Sequence, residues 1–215
     1  MINMRKVFWD DPYQTVLNTQ IDSVSEKGIL LKETIIFSFS GGQESDNATI
    51  NGVSVVDSKI EGNLIYYQVI DGKFIAGQEV SIEIDWIRRY RLMRLHFAAE
   101  LILELVTKKL NVEKMGAHIS EDKARIDFNY DSNISAIFES ILNEYNKIIT
   151  ADEQITTGFD DAETQRRYWE IKGFSKVPCG GTHVKSTAEV GFVTLKRKNV
   201  GRGKERIEIS LVNQN

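Results

Sequence analysis

Residues 88–110 read RRYRLMRLHFAAELILELVTKKL and contain neither glycine nor proline. Within this stretch the apolar side chains recur at helical spacings, at Leu92, Leu95, Ala99, Ile102, Leu103 and Val106. Residues 80–85 behave differently, because their apolar and polar side chains alternate with the period of two that is typical of a half-buried strand. The sequence therefore predicts a change from β to α structure near Trp86.

The residues upstream of this helix indicate strands joined by tight turns. Asn51-Gly52 is a turn signal between two β-type segments, and residues 64–70 form a β-rich run that ends at Asp71-Gly72. We expect residues 1–86 to form a small β-barrel-like domain or a compact sheet.

The residues downstream mix both kinds of structure. We expect a strand at residues 124–128, a second amphipathic helix at residues 134–149 capped by Asp131 or Ser132, and a third, more polar helix at about residues 160–168. The tail returns to strands at residues 190–195 and 207–211. The predicted fold class is α+β, with residues 87–215 forming an α+β domain after the β-rich one.

Composition limits the setting of the protein. Of its 215 residues, 41% are hydrophobic and 27% charged, as in ordinary folded proteins. No apolar run approaches the roughly 18 residues of a membrane helix. Asp10 and Asp11 end the apolar stretch near the amino terminus, so we expect no secretory signal there. Cys179 is the only cysteine, so an internal disulfide is excluded. A cytoplasmic location fits best.

Two basic patches stand out against a net charge of −4. The first contains Arg88, Arg89, Arg91 and Arg94, and the second contains Lys196, Arg197, Lys198, Arg202, Lys204 and Arg206. With the acids mostly elsewhere, these patches could hold a nucleic acid locally, although solvated surface charge is the ordinary explanation of such a run.

A possible metal site is divided between two parts of the chain. Cys179-Gly180-Gly181-Thr182-His183 places a thiol and an imidazole on a glycine-containing loop, and sulfur with nitrogen is a zinc-type pair. His96 and Glu100, four positions apart, share one face of the predicted helix and could supply the remaining ligands. Taken singly, each is as well explained as a core histidine, an inert cysteine or a boundary carboxylate.

Four separated motifs resemble those of alanyl-tRNA editing domains. Residues 85–96 are similar to the opening segment of the editing domain of alanyl-tRNA synthetases and of the freestanding AlaX-type editing proteins. Residues 179–184 resemble the second metal motif of that family, residues 201–208 its closing strand, and residues 40–46 its glycine-rich motif. The order and coverage are similar to the medium-length freestanding form.

The resemblance implies an activity and a set of site residues. The activity is hydrolysis of the ester bond of alanine tRNA that carries serine or glycine, with one Zn²⁺ per chain. The implied metal ligands are His96, Glu100, Cys179 and His183. Implied substrate contacts are Gly42, Gln43, Asp46 and Thr182, with Thr182 also a candidate to orient His183.

The sequence departs from the family at the first metal motif, where Glu100 stands in place of a second histidine. Three interpretations follow: Glu100 is a zinc ligand, or it is the general base beside a three-ligand zinc, or the site is degenerate and the chain is a non-catalytic tRNA-binding module. Phe39 and Ser40 also differ from the glycine-rich motif, so the preferred amino acid stays open. The Cys-Gly-Gly-Thr-His sequence of residues 179–183 argues against a threonine-type editing domain.

Overall fold

The computed structural model describes residues 4–212, which divide into two compact units. The first contains the chain up to Ser40 together with Glu44–Tyr90, and the second contains Gly41–Gln43 and the chain from Arg91 onward. The sequence places the whole glycine-rich motif in the first domain. The structure differs, because the Gly42 carbonyl accepts a hydrogen bond from the Ile119 amide at 2.7 Å, which ties these three residues to the second unit.

The first unit consists almost entirely of strands. A short helix α1 (Val7–Asp10) follows β1, and the strands are β1 (Arg5–Lys6), β2 (Val16–Ser25), β3 (Gly28–Leu31), β4 (Glu33–Thr34), β5 (Ala48–Ile50), β6 (Val53–Glu61), β7 (Leu64–Val69) and β8 (Glu79–Ile84). Six of them pair into a closed barrel in the order β2-β3-β7-β6-β5-β8. The alternation of residues 80–85 predicts a strand with one buried face, and the structure agrees, since Val80, Ile82 and Ile84 are buried in the barrel core.

The second unit combines two antiparallel sheets with helices. Its helices are α2 (Trp86–Leu110, whose first residues count with the first unit), α3 (Phe138–Ala151) and α4 (Thr187–Val190), and its strands are β9 (Lys114–Ile119), β10 (Ala124–Asn129), β11 (Thr156–Asp161), β12 (Arg166–Ile171), β13 (Ser175–Pro178), β14 (Val193–Gly201) and β15 (Lys204–Leu211). One sheet has the order β14-β15-β10-β9 and the other β11-β12-β13. The mixed α and β content predicted from the sequence is confirmed.

Helix α2 agrees well with its prediction. Its middle is apolar on most sides, and Leu95, Phe97, Ala98, Leu101 and Ile102 are fully buried. A helix that is hydrophobic nearly all round belongs in a core. His96 and Glu100 are therefore held on a rigid, enclosed element.

One predicted helix and one predicted helix cap are wrong. Residues 160–168 are not a helix but the end of β11, a turn and the start of β12, because residues 166–171 alternate in burial and place Arg167, Trp169 and Ile171 inside. The second helix is capped by neither Asp131 nor Ser132. Asn133 caps a 3₁₀ turn (Ile134–Ile137), accepting from the Ser135 amide at 3.0 Å, and α3 follows.

Within residues 4–212, no helix combines the length and the apolar character that a membrane span requires.

A fully buried ion pair lies inside the first unit. Arg89 donates to both carboxylate oxygens of Asp46 and to the carbonyls of Ile35 and Pro12, and Asp46 also accepts from the Phe37 amide at 2.6 Å. Both side chains have no exposed surface. Burial of two charges is tolerable here because each has several hydrogen-bond partners.

We expect Asp46→Ala to lower the free energy of unfolding by about 3–5 kcal/mol, because it leaves the Arg89 charge buried and unpaired. The measurement is denaturant unfolding of the full chain. Arg5→Ala is the matched control, since Arg5 pairs with Asp10 and Glu33 on the exposed surface and solvent screens that interaction. Equal losses in the two variants would contradict the structural role of Asp46.

Candidate metal centre

Three donor side chains converge in the second unit. The ligand atoms of His96, Cys179 and His183 all lie within 4.8 Å of one another. His96 comes from α2, and the other two come from the loop that follows β13. The structure therefore brings together the helix and the loop motif that the sequence presents more than eighty residues apart.

The loop is fixed at both ends by hydrogen bonds that its own backbone amides donate. The Cys179 amide donates to the Arg167 carbonyl at 2.9 Å, and the Thr182 amide donates to Gln43 Oε1 at 3.3 Å. Between them, Gly181 passes so close to His96 that an added Cβ would lie 1.9 Å from the imidazole Cε1. Only glycine fits such an approach, so Gly181 is required for space rather than for an unusual backbone angle.

His96 is oriented by Gln43. The Gln43 amide nitrogen donates to Thr182 Oγ1 at 2.9 Å, which turns Gln43 Oε1 toward His96 Nδ1 at 2.5 Å. This network assigns a proton to Nδ1 and directs Nε2 toward Cys179 Sγ, 3.4 Å away. A ligating histidine is commonly held in this way by a hydrogen bond to its other nitrogen.

Glu100 lies beside the same atoms. Its Oε1 is 3.5 Å from His96 Nε2 and 4.0 Å from Cys179 Sγ, and its Oε2 accepts from the Trp169 indole at 3.0 Å. The carboxylate thus faces two of the three donors through one oxygen.

His183 supplies the sharpest indication of a bound ion. Both of its ring nitrogens are buried, and neither has a hydrogen-bond partner among residues 4–212. The ring packs against Phe97 and His96, with centroids 5.6 and 5.2 Å apart. A buried polar atom without a partner costs about 1–3 kcal/mol, so an imidazole with two of them fits a metal ligand. Two imidazoles with one thiolate are a donor set that suits zinc.

The charges of the cluster favour a cation. Burial alone raises the pKa of the Cys179 thiol, but the neighbouring His96 and His183 outweigh it and lower that pKa to about 6. Burial likewise raises the pKa of Glu100, whereas His96 and the Trp169 indole lower it, with a net shift downward. Burial lowers the pKa of His96, yet Cys179 and Glu100 raise it to about 10. Two anionic side chains thus share one imidazolium, whose proton a divalent cation can replace.

Three of the predicted substrate contacts, Gln43, Asp46 and Thr182, are buried. Gln43 and Thr182 are almost fully buried and hydrogen-bonded to each other, so they position His96, and Thr182 makes no hydrogen bond to His183. Gly42 packs its backbone against the Ala117 carbonyl, where a Cβ would lie at 2.6 Å. The Asp46 side chain has no exposed surface because its carboxylate is enclosed with Arg89, and its role as a substrate contact stays a prediction.

Two residues of the site are missing from the sequence prediction. Gly181 enters the sequence prediction only as part of a glycine-containing loop, and Trp169 lies one position beyond the helix predicted at residues 160–168. The alternation of residues 166–171 was the available signal, because it places Trp169 on the buried face of a strand.

The basic patches are largely engaged within the protein. Acids do lie beside them, contrary to expectation. The contacts are Arg88 with Glu44, Arg89 with Asp46, Arg94 with the Val190 carbonyl, Arg197 with Glu205, Lys198 with Glu208 and Arg206 with Asp127. These pairs reduce the local positive charge that would attract a polyanion.

Known proteins resemble this chain over most of its length. The family described as "Threonyl and Alanyl tRNA synthetase second additional domain" matches residues 167–208. The alanyl-tRNA editing protein AlaX-M of Pyrococcus horikoshii is 37% identical, over 98% of this chain and 100% of that protein. The AlaX-M protein of Methanosarcina barkeri is 30% identical, over 96% and 98%. An alanine–tRNA ligase of Methanococcus maripaludis is 28% identical over 95% of this chain but 25% of the ligase.

We expect Gly181→Ala to lower the free energy of unfolding by about 1–3 kcal/mol, because the new methyl group overlaps the His96 ring. Denaturant unfolding in the presence of a chelator measures this effect apart from any metal. Gly180→Ala is the control, since an added Cβ there meets nothing within 4 Å. If both variants were as stable as the wild type, the close packing of Gly181 on His96 would be refuted.

Proposed function

Since the chain belongs to the AlaX-type alanyl-tRNA editing proteins, we propose that it uses zinc to hydrolyse the ester bond between alanine tRNA and a wrongly attached amino acid. The chain is an aminoacyl-tRNA deacylase of this family. In the reaction water adds to the ester carbonyl, the bond to the tRNA hydroxyl breaks, and the amino acid leaves as a free carboxylate. The observation that carries the zinc proposal is the convergence of His96, Cys179 and His183 around the orphaned nitrogens of His183.

A separate hydrolytic site answers a physical limit on selection. A pocket for a small amino acid rejects another that differs by one small group by only a modest factor, because little binding energy distinguishes the two. A second site that removes the wrong product supplies the missing selectivity. Serine and glycine are the amino acids closest in size to alanine, and we propose them as the substrates to be removed.

We propose that His96, Cys179, His183 and Glu100 are the zinc ligands. Glu100 Oε1 lies almost as close to His96 Nε2 as Cys179 Sγ does, at 3.5 against 3.4 Å, so the carboxylate borders two of the three clustered donors. Zinc accepts carboxylate oxygen as well as imidazole nitrogen and thiolate sulfur. Zinc in this position would supply Lewis acidity, which polarises the ester carbonyl toward attack.

The protein's own groups prepare the site. Gln43 holds His96 in one orientation, and the Gly181 backbone closes against the ring, so the donors need little rearrangement. Preorganised charge of this kind is more effective than charge that must be oriented during the reaction.

We expect the wild-type protein to carry about one zinc per chain and to release serine or glycine from charged alanine tRNA, and a chelator to stop the release. His96→Ala and Cys179→Ala should abolish it because each removes a ligand. The assay uses seryl-, glycyl- and alanyl-tRNA, with far-ultraviolet circular dichroism as a check of folding. Equal rates from metal-free and zinc-loaded protein would contradict the zinc proposal, and binding of tRNA without release would favour a non-catalytic module.

The role of Glu100 is tested by Glu100→Gln. As a ligand, Glu100 contributes an anionic oxygen, so the variant should lose zinc affinity as well as activity. If Glu100 were the general base, zinc affinity would stay at the wild-type value and kcat alone would fall by about 10²–10⁴-fold. Zinc content after dialysis against a chelator, together with kcat and KM, separates these results. Full activity in the variant would exclude both roles.

A further inference from the structure

The indole of Trp169 is packed against the candidate metal centre. The ring is fully buried on β12 and lies edge-to-face on Phe97, with centroids 5.1 Å apart. Phe97 in turn lies edge-to-face on His183. Because this packing encloses the indole, its Nε1–H has a fixed direction, which is toward Glu100 Oε2 at 3.0 Å.

The two oxygens of Glu100 have different partners. Oε2 accepts from Trp169, whereas Oε1 faces His96 and Cys179. The terminal torsion of a glutamate is broad, so an unrestrained carboxylate can present one oxygen or both. A hydrogen bond from a neutral donor to a charged acceptor is strong enough to restrict that rotation.

We propose that Trp169 is a positioning residue, which holds Glu100 so that Oε1 alone is offered to the metal. The inference rests on the proposed function in one respect, because it requires the cluster to bind zinc. Residues that orient a metal ligand through a hydrogen bond to its other polar atom typically contribute about 10–100-fold to metal affinity. Trp169 would orient Glu100 through a hydrogen bond, in the same way that Gln43 orients His96.

The first test is Trp169→Phe, which keeps a ring against Phe97 and removes the N–H donor. We expect the zinc dissociation constant, measured by competition with a chromophoric chelator, to rise about 10–100-fold. The absorption spectrum of the cobalt(II)-substituted protein should change too, since a released carboxylate can bind through two oxygens. Trp9→Phe is the matched control: it makes the same chemical change in the first unit, where the ring lies beneath Lys6, and should change neither readout.

A double-mutant cycle separates positioning from general packing. In a Glu100→Ala background the indole has no carboxylate to hold, so adding Trp169→Phe should weaken zinc binding no further. A loss of the same size in both backgrounds would overturn the proposal, as would wild-type affinity in Trp169→Phe or a wild-type protein that binds no zinc.

A second measurement needs no Trp169 variant and so survives any folding defect. The indole proton of Trp169 is identified by elimination, since the chain has three tryptophans and the other two can be changed one at a time in Trp9→Phe and Trp86→Phe. We expect this proton to exchange slowly with solvent both without and with zinc, and its chemical shift to move in Glu100→Ala. Loss of protection on adding zinc would refute the proposal. A protein that shows the Trp169 dependence but releases no amino acid from tRNA would support the positioning role while contradicting the proposed reaction.

Discussion

The contact between the Gly181 backbone and the His96 imidazole is the constraint on which the candidate metal centre depends. An added methyl group would overlap the ring, so the loop can approach the helix only without a side chain at this position. The approach brings the Thr182 amide and hydroxyl onto Gln43, and Gln43 then fixes His96. Because Gly181 has no Cβ, the loop can bring Cys179 and His183 up to the helix at this position.

The buried Arg89–Asp46 pair and the buried His183 differ in whether their polar atoms have hydrogen-bond partners. The Arg89–Asp46 pair is fully enclosed, and its charges are satisfied by each other and by backbone groups. His183 is also buried, yet its ring nitrogens have no hydrogen-bond partner within residues 4–212. Satisfied burial stabilises a fold, whereas unsatisfied burial in a cluster of metal-type donors indicates a ligand. This contrast also explains why Asp46 belongs to the architecture of its unit, although it lies in the same motif as Gln43.

Glu100 shows how a largely enclosed acid can be accommodated at such a site. Its carboxylate has an indole donor on one oxygen and faces an imidazole with the other. These contacts lower its pKa in spite of burial, so the group stays anionic. With the Cys179 thiolate beside it, the cluster carries negative charge that a divalent cation can balance.

The sequence by itself determined the long helix, the strand that precedes it and the set of metal-type donors. These features depend on local periodicity and on residue chemistry, which are visible along one chain. The helix predicted at residues 160–168 is absent. The sequence pattern was misleading there, because a polar stretch rich in turn residues precedes and obscures the two-residue alternation of β12. Only the tertiary structure decided that Gln43 and Trp169 position ligands, that Asp46 is enclosed with Arg89, and that Gly181 is required for space. The physical reason is that each of these roles depends on an atom more than forty positions away, and a sequence fixes which groups are present but not which of them meet.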